Sequence, residues 1–291
     1  MQTVNEEQAE YWGKSASGAK WLTYEDQLDH LMSPVLELVL DRAGLQTGMR
    51  VLDVGCGTGV SSIAAAKQVG ESGHVLAADI SEPFLDRART RASDQELNNI
   101  TFQYADAQTH DFAEGNRDAA ISRFGVMFFE DSVAAFSNMA RALKPGGQMT
   151  FAAWGPLADN PWFKIPHIAA TSRLGHPPKV DRFAPGPLAF HDIDHVTGMM
   201  TEAGLSDVQA DAVPLGLRGI GSVRDSAILC TRVGPAARVI SHFDGTSADV
   251  HAIQEGVADA FSSFENGQDL KIPAVINLFQ ARRSTWSSWS G

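Results

Sequence analysis

The segment VLDVGCGTGV, residues 51–60, constrains the fold more than any other part of the chain. The segment VLDV is followed by glycines at every second position, 55, 57 and 59, and then by SSIAAAKQV. This pattern predicts a buried strand, a tight turn and a helix. Glycine allows positive φ and lets the backbone come close to a ligand, and the first turn of a helix offers N–H groups without partners. The sequence therefore predicts a ligand-binding strand-to-helix turn.

Strands and helices alternate from this turn as far as Trp154. The further predicted strands are HVLAADIS, ITFQYAD, DAAISRF and QMTFAAW, and Gly70 suits the end of the first helix. Strands that alternate with helices at this spacing indicate a mostly parallel sheet with helices on both faces. With SDVQADAVPLGLRG and IPAVINLFQAR as two later strands, we predict an α/β fold with a mostly parallel, Rossmann-like sheet of seven strands.

Helical patterns precede the first strand, because apolar residues recur there at steps of three and four. We expect residues 1–45 to form a helical cover over the site and residues 46–283 to form the main domain. Two insertions, at about 155–187 and 222–266, follow the fifth and sixth strands, and residues 284–291 are expected to be a tail.

The two insertions differ in composition. The first is rich in proline and glycine and is predicted to be mainly loop. The second is predicted to contain two helices, near residues 222–241 and 247–264. Exposed helices of this kind leave room for a homodimer.

Charge and composition exclude several classes of partner. The formal net charge of −12 would repel a polyanion, so nucleic acid and anionic membranes are poor partners. No apolar run approaches the ~18–20 residues of a membrane span, and no signal peptide is visible. Cys56 and Cys230 give neither a disulfide framework nor a metal-site spacing. We expect a cytoplasmic protein that binds a small molecule.

The glycine spacing excludes two familiar phosphate sites. A dinucleotide fingerprint would place its third glycine at position 60, where this chain has Val60. No Lys-Ser or Lys-Thr follows, which excludes a P-loop. Asp53 would repel a diphosphate and attract a cationic amine. S-adenosylmethionine carries both an ammonium and a sulfonium, whereas an NAD or nucleotide-sugar enzyme and a non-catalytic scaffold stay as alternatives.

Several segments together resemble the class I S-adenosylmethionine-dependent methyltransferases. LDVGCGTG resembles their glycine-rich motif, AADIS the end of their second strand, and YADAQ the segment after their third. SRFGVMFFED and LKPGG resemble the fourth-strand motif and the turn before strand five. The resemblance covers roughly residues 45–154, and it implies S-adenosylmethionine as cofactor and S-adenosylhomocysteine as product.

The resemblance also implies roles for single residues. Asp79 would accept hydrogen bonds from the ribose hydroxyls, Asp106 would face the adenine amino group, and Ala107 would donate from its backbone. Arg123 would lie beside the methionine portion, with an ion pair to Glu130 or Asp131 as its structural alternative. The motif residues expected at the cofactor are Asp53, Gly55, Cys56, Gly57, Gly59, Asp79, Ile80, Asp106, Ala107, Arg123 and Phe124.

The order of the motifs is similar to that of the ubiquinone and menaquinone biosynthesis methyltransferases. Members of that group have an Arg-Asn pair after the fourth-strand Phe-Gly, whereas this chain has Met127 and Phe128 in that region. The cofactor is therefore carried over from the resemblance, but the acceptor is not.

Aromatic residues and histidines outside the motifs are candidates for the rest of the site. Trp21 and Tyr24 could face the sulfonium, because aromatic faces attract cations. Tyr24, His167 and Arg123 are the candidates for a catalytic role, with core or loop packing as the alternative. The expected acceptor pocket comprises Trp12, Tyr24, Met127, Trp154, Asn160, Trp162 and His167.

One histidine pair has a spacing that could bind a metal. His191 and His195 are four residues apart and would share a helical face, but no third ligand is evident. We therefore predict no metal.

Overall fold

A seven-stranded sheet forms the centre of the computed structural model, which describes residues 4–267 and 269–285. The strands are β1 (Arg50–Val54), β2 (His74–Asp79), β3 (Ile100–Tyr104), β4 (Arg117–Arg123), β5 (Leu143–Trp154), β6 (Leu205–Arg218) and β8 (Asp269–Arg283), and the two-residue β7 (Glu265–Asn266) pairs with the start of β8. Their order is β3-β2-β1-β4-β5-β8-β6. All neighbours from β3 to β5 are parallel, and β8 is antiparallel to β5 and β6. The predicted mostly parallel α/β sheet is confirmed.

Helices precede the sheet and connect its strands. Gly59, at φ 87°, begins the helix after β1, and Gly70, at φ 66°, ends it, as the sequence predicted. Four helices precede β1: α1 (Glu6–Lys14), α2 (Ala16–Thr23), α3 (Glu25–Leu31) and α4 (Ser33–Ala43). The connecting helices are α5 (Val60–Val69), α6 (Glu82–Ser93), α7 (Ser132–Ala142) and, before β6, α9 (Ile193–Glu202).

The loops after β1 and β4 touch at two glycines. A Cβ on Gly125 would lie 2.5 Å from the Val54 carbonyl oxygen and 2.7 Å from the Gly55 Cα. The Ser122 hydroxyl donates to the same carbonyl (2.7 Å) and accepts from the Gly125 N–H (3.1 Å). The backbones of the two loops therefore meet without intervening side chains, which joins the ends of β1 and β4.

The first insertion is more helical than its composition predicted. Residues 161–174 form a fourteen-residue helix, α8 (Pro161–Leu174), so the prediction of a mainly looped segment is wrong there. Pro161 occupies the first turn, where a missing N–H costs nothing, and Pro166 interrupts the hydrogen bonds at one position only. The helix ends at Gly175.

The second insertion contains three helices where two were predicted. They are α10 (Val223–Arg232), α11 (Pro235–His242) and α12 (Ser247–Phe261). The break between α10 and α11 falls at Gly234, whose φ is 86°, and Pro235 then begins the next helix. Trp162 of α8 stacks on Phe261 of α12 at 6.2 Å, which joins the two insertions.

The expected tail lies mostly beyond the part of the chain that the structure describes. Ser284 and Thr285 follow β8, and residues 286–291 lie outside the described residues. Within the described ranges, no helix is long and apolar enough to cross a membrane.

We predict that Gly125→Ala destabilises the protein by about 1–3 kcal/mol, because the new methyl group forces the β1 and β4 loops apart. Gly256→Ala is the matched control, since a Cβ at that position in α12 meets nothing within 4 Å and alanine favours a helix. Urea unfolding should show a loss of stability for the first variant and no loss for the second. Equal stability of the Gly125 variant and wild type would contradict the contact.

Candidate active site

Five candidate segments meet at the carboxyl edge of the parallel strands. Because β1 to β5 run in one direction, the residues that follow their ends are neighbours. The glycine turn follows β1, Asp79 ends β2, Asp106 follows β3, and Arg123 and Trp154 end β4 and β5.

The three glycines of the turn have different local requirements. Gly55, Gly57 and Gly59 all have positive φ, at 67°, 56° and 87°. A Cβ on Gly55 would strike Gly125, and one on Gly59 would lie 2.9 Å from the Ala88 Cβ of α6. Gly57 has no atom within 4 Å of its would-be Cβ, so open space adjoins the middle of the turn.

Asp53 lies beneath this turn and is fully buried. One carboxylate oxygen, Oδ2, accepts hydrogen bonds from the Ser61 and Ser62 hydroxyls at 2.6 Å each. The other oxygen, Oδ1, has no hydrogen-bond partner in the structure. Burial raises the pKa of Asp53, while the two serines and the charge of Arg123 act in the opposite direction.

Arg123 carries the complementary unpartnered atom. Its Nη1 is buried and makes no hydrogen bond in the structure. Its Nη2 pairs with Asp29 of α3 at 3.1 Å, so the ion pair is not made with Glu130 or Asp131, the alternative weighed from the sequence. An unpartnered carboxylate oxygen and an unpartnered guanidinium nitrogen suit the ammonium and carboxylate of an amino acid.

Asp29 and Arg91 were missed by the sequence analysis. Asp29 pairs with both Arg123 and Arg91, and the second pair measures 2.9 Å. Arg91 of α6 also donates to the Thr58 carbonyl and hydroxyl in the glycine turn, at 3.2 and 2.9 Å. The available signal for Asp29 was its place beside the buried Leu28 in α3, whereas Arg91 had no such signal.

Asp79 joins the turn to the end of β2. Its carboxylate accepts from the Gly57 N–H at 2.7 Å and from the Ser81 N–H at 2.9 Å. Only 8% of Asp79 is exposed, and this burial raises the pKa of Asp79 to about 6. The Ser81 hydroxyl donates to the Trp12 carbonyl (3.1 Å), so α1 lies above this carboxylate.

Asp106 is engaged by the start of the chain, which no motif had indicated. Its Oδ2 accepts from the Val4 and Asn5 N–H groups, at 3.1 and 3.2 Å. Its Oδ1 accepts from the Asn5 amide (2.8 Å) and from the Gln108 N–H (3.0 Å). The role expected for Asp106 at adenine therefore has a competitor within the protein.

Aromatic rings surround the same edge. Phe124 has a positive φ of 67°, and its ring stacks on Trp154 at 4.6 Å and 1°. Trp12 contacts Trp21 at 5.8 Å and Phe128 at 5.3 Å. Positive φ is costly for a bulky residue, so its occurrence at this edge points to a functional constraint.

Comparison with known proteins identifies this arrangement. Residues 51–147 match a family described as a methyltransferase domain. The chain is 38% identical over 111 residues to a ubiquinone/menaquinone biosynthesis C-methyltransferase of Cellvibrio japonicus, covering 38% of this chain and 45% of that protein. It is 33% identical over 129 residues to an aklanonic acid methyltransferase of a Streptomyces species, covering 44% and 59%. The chain thus spans about half the length of the curated relatives it matches.

Residues 51–147 thus resemble a methyltransferase domain. The fold agrees with this assignment beyond the matched segment. A solved structure of a putative methyltransferase from Bacillus halodurans has a TM-score of 0.55 at 19% identity and covers 86% of this chain and 99% of that chain.

Three residues predicted for the acceptor pocket are buried in contacts within the protein. Asn160 is fully buried, and its amide donates to the Pro156 and Val275 carbonyls and accepts from the Val275 N–H. These bonds fix the loop after β5 to β8. Met127 is 1% exposed within the core, and Trp162 is 5% exposed against α12.

His167 and Cys56 lie in different surroundings. His167 is half-buried on α8, and burial, with the nearby charges of His176 and Arg238, lowers the pKa of its imidazole. Cys56 packs against Ala77 and Leu85, and burial raises the pKa of its thiol well above the usual range. The Cys56 thiol is therefore neutral at pH 7 and serves packing.

Ala107 and Ile80 follow their strands as expected. Ala107 is buried, and its carbonyl accepts from the Asn138 amide at 2.9 Å. Ile80 is half-buried, and its backbone N–H interacts with the Asp79 carboxylate. Tyr24 and Trp21 are half-buried against the core.

A cleft of about 660 Å³ adjoins the domain on the side of Asn5. His195, but not His191, contributes to its wall, and both rings contact Phe183. Among residues 4–267 and 269–285, no cluster of three potential metal ligands occurs. The residues that line the cleft are Val4, Gln108, Phe129, Glu130, Asp131, Ser132, Val133, Phe183, Pro185, His195 and Met199.

We predict that Asp79 makes the unliganded protein less stable as pH rises. Its pKa is about 6 in the folded state against an ordinary value of 3.8, so between these pH values the folded state keeps a proton that the unfolded state has lost. The Asp79 contribution is fully present below about pH 4 and is lost through pH 6, a change of about 2–3 kcal/mol. Urea unfolding between pH 4 and 8 should show this decline in wild type relative to Asp79→Asn.

Asp118→Asn provides a control of opposite sign for this measurement. Burial alone would raise the pKa of Asp118, but hydrogen bonds from Lys144 and the Arg50 backbone hold it below its usual range. Asp118 therefore contributes stability that is lost as pH falls. Parallel pH profiles of wild type and Asp79→Asn would refute the Asp79 prediction.

Proposed function

We propose that this protein transfers a methyl group from S-adenosylmethionine to a small-molecule acceptor. One observation carries the proposal: the unpartnered Asp53 Oδ1 and Arg123 Nη1 are buried on the adjacent strands β1 and β4, and the turn that follows β1 has open space at Gly57. Buried charged atoms without partners are rare, and a zwitterionic amino-acid group would satisfy both. The aminocarboxypropyl end of S-adenosylmethionine is such a group.

The remaining parts of the cofactor have candidate partners along the same edge. The Asp79 carboxylate, which accepts a hydrogen bond from the Gly57 N–H, would also accept hydrogen bonds from the ribose hydroxyls. Ala107 and Asp106 follow β3 and would receive adenine. Burial of these groups means that each contact forms in a site with little competing water.

The cofactor supplies an activated methyl group on its sulfonium. The protein has to align the acceptor with the methyl–sulfur bond and to exclude water, and such alignment can contribute ~7–11 kcal/mol. The rings of Trp12, Trp21, Phe124 and Trp154 would form the dry walls, and aromatic faces favour the cationic sulfur. We propose that these walls enclose the reacting groups.

The proposal assigns no general base. Arg123 pairs with Asp29, and a guanidinium offers only hydrogen-bond donors, so Arg123 is not the base. Burial, together with the nearby His176 and Arg238 of the insertions, lowers the pKa of His167. Tyr24 is the candidate that remains beside the core, and acceptors that lose no proton before attack would need no base.

The acceptor is proposed to be a small, largely apolar molecule. Helix α8, outside the matched domain, contributes Trp162 and Phe163, and Phe163 contacts Trp154 edge-to-face at 4.6 Å. The relatives are named for aklanonic acid and for quinone biosynthesis. We take these names as the first chemical classes to screen.

Location, assembly and domain limits belong to the same proposal. We propose a cytoplasmic location because both cysteines are free and buried. The acidic charge favours a small molecule over nucleic acid. A cover of residues 1–45, a main domain of residues 46–283 and a homodimer remain proposals.

The deciding experiment is parallel calorimetry with S-adenosylhomocysteine, S-adenosylmethionine and NAD. We expect the first two to bind and NAD not to bind, and Asp79→Ala to weaken binding by more than about 1 kcal/mol because a buried charged acceptor is lost. Binding of NAD alone would overturn the proposal. Radiolabelled methyl transfer to an acceptor panel then separates an enzyme from a non-catalytic scaffold.

A truncated ligand tests the role of Arg123. We predict that Arg123→Met weakens binding of S-adenosylmethionine but leaves binding of its decarboxylated analogue nearly unchanged, because only the former presents a carboxylate to the guanidinium. Arg218→Met is the control, since Arg218 pairs with Glu37 on the exposed surface. Equal losses for both ligands would assign Arg123 to structure alone.

A further inference from the structure

Asn5 joins three separate segments at the adenine end of the proposed cofactor site. Its side-chain amide donates to Asp106 Oδ1 at 2.8 Å and to Gln108 Oε1 at 3.1 Å. Its Oδ1 accepts from the Glu130 N–H at 2.8 Å. These contacts, together with the Val4 N–H bond to Asp106, are called the clasp.

Asn5 makes these contacts in place of its ordinary local role. It is the N-cap residue of α1, where an asparagine oxygen usually accepts from the N–H groups of the first helical turn. No side-chain capping bond is present in α1. Asn5 thus has two alternative sets of partners: Asp106, Gln108 and Glu130, or the backbone of its own helix.

Few contacts other than the clasp attach helix α1 to the rest of the described structure. None of its residues is buried. Beyond the clasp, α1 is attached around Trp12, whose carbonyl accepts from Ser81 and whose ring contacts Trp21, Phe84 and Phe128. The helix is therefore secured near its two ends, and the clasp is the polar attachment at the first of them.

The clasp covers the carboxylate that the cofactor would need. Asn5 and Asp106 are 5% and 8% exposed. Asp106 already accepts at least four hydrogen bonds, three from Val4 and Asn5 and one from Gln108. A carboxylate offers about four acceptor positions, so an adenine amino group has to displace a donor.

We propose that the clasp and the adenine of the cofactor compete for Asp106, which makes Asn5 a gate on cofactor entry. This inference rests on the proposed function. In the closed state Asn5 holds Asp106. In the open state Asn5 caps α1, residues 4 and 5 leave the edge of the sheet, and Asp106 becomes accessible to adenine.

Asn5→Asp separates the gate from simple packing. The substitution preserves side-chain size, the acceptor for the Glu130 N–H and the capacity to cap α1, and a negative charge favours a helix N-terminus. It removes the amide donor and places a carboxylate against Asp106. The closed state is therefore weakened while the open state is preserved.

The test is stopped-flow tryptophan fluorescence with S-adenosylhomocysteine, combined with hydrogen exchange of unliganded protein. We expect Asn5→Asp to raise the association rate constant about tenfold, the factor that loss of a hydrogen bond to a charged group implies, with little change in dissociation. The amides of residues 6–14 should exchange faster. Asn98→Asp is the matched control, because the exposed Asn98 side chain donates only to the Glu96 carbonyl at 3.3 Å.

Each contrary outcome has a distinct meaning. Unchanged exchange in residues 6–14 overturns the clasp, whether or not a ligand binds. Faster dissociation without faster association also overturns the competition, since it would place Asn5 among the contacts to bound ligand. If wild type and both variants bind no S-adenosylhomocysteine while exchange responds as expected, the proposed function fails instead. Asn5→Ala, which removes donor and acceptor together, must agree with Asn5→Asp on the association rate.

Discussion

The contact between Gly55 and Gly125 is the constraint on which the site depends. A methyl group on either residue would overlap the other backbone, so the ends of β1 and β4 meet only because both side chains are hydrogen. This approach keeps Asp53 and Arg123, which belong to these two strands, close enough to interact electrostatically. Two charges of opposite sign can then remain buried with one unpartnered atom each, which favours a ligand that carries both signs.

A second layer of charge connects the N-terminal helices to this pair. Asp29 lies between Arg91 and Arg123, and Arg91 also holds the glycine turn. Removing one member would leave buried charge without compensation, which is more costly than the pair itself is stabilising. Helix α3, which precedes β1, therefore takes part in the electrostatics of this edge of the sheet.

The sequence predicted the parts whose cause is local. The positions of the glycine turn and Gly70 follow from backbone freedom, and the alternation of strands and helices follows from hydrophobic periodicity. The roles of Asn5, Asp29 and Arg91 depend on partners that are remote in sequence. No spacing or motif therefore predicted these roles. Helix α8 was missed because its prolines were read as loop signals, although Pro161 occupies a turn that accepts proline.

The surroundings of Phe124 limit which substitutions are tolerated at this position. Its backbone conformation favours glycine, while its ring stacks on Trp154. Aliphatic replacements would retain the backbone strain and lose the stacking, and glycine would relieve the strain and lose the ring. No other type of residue satisfies both the backbone conformation and the ring stacking. A library of variants at this position should therefore tolerate aromatic residues and glycine, and few other residues.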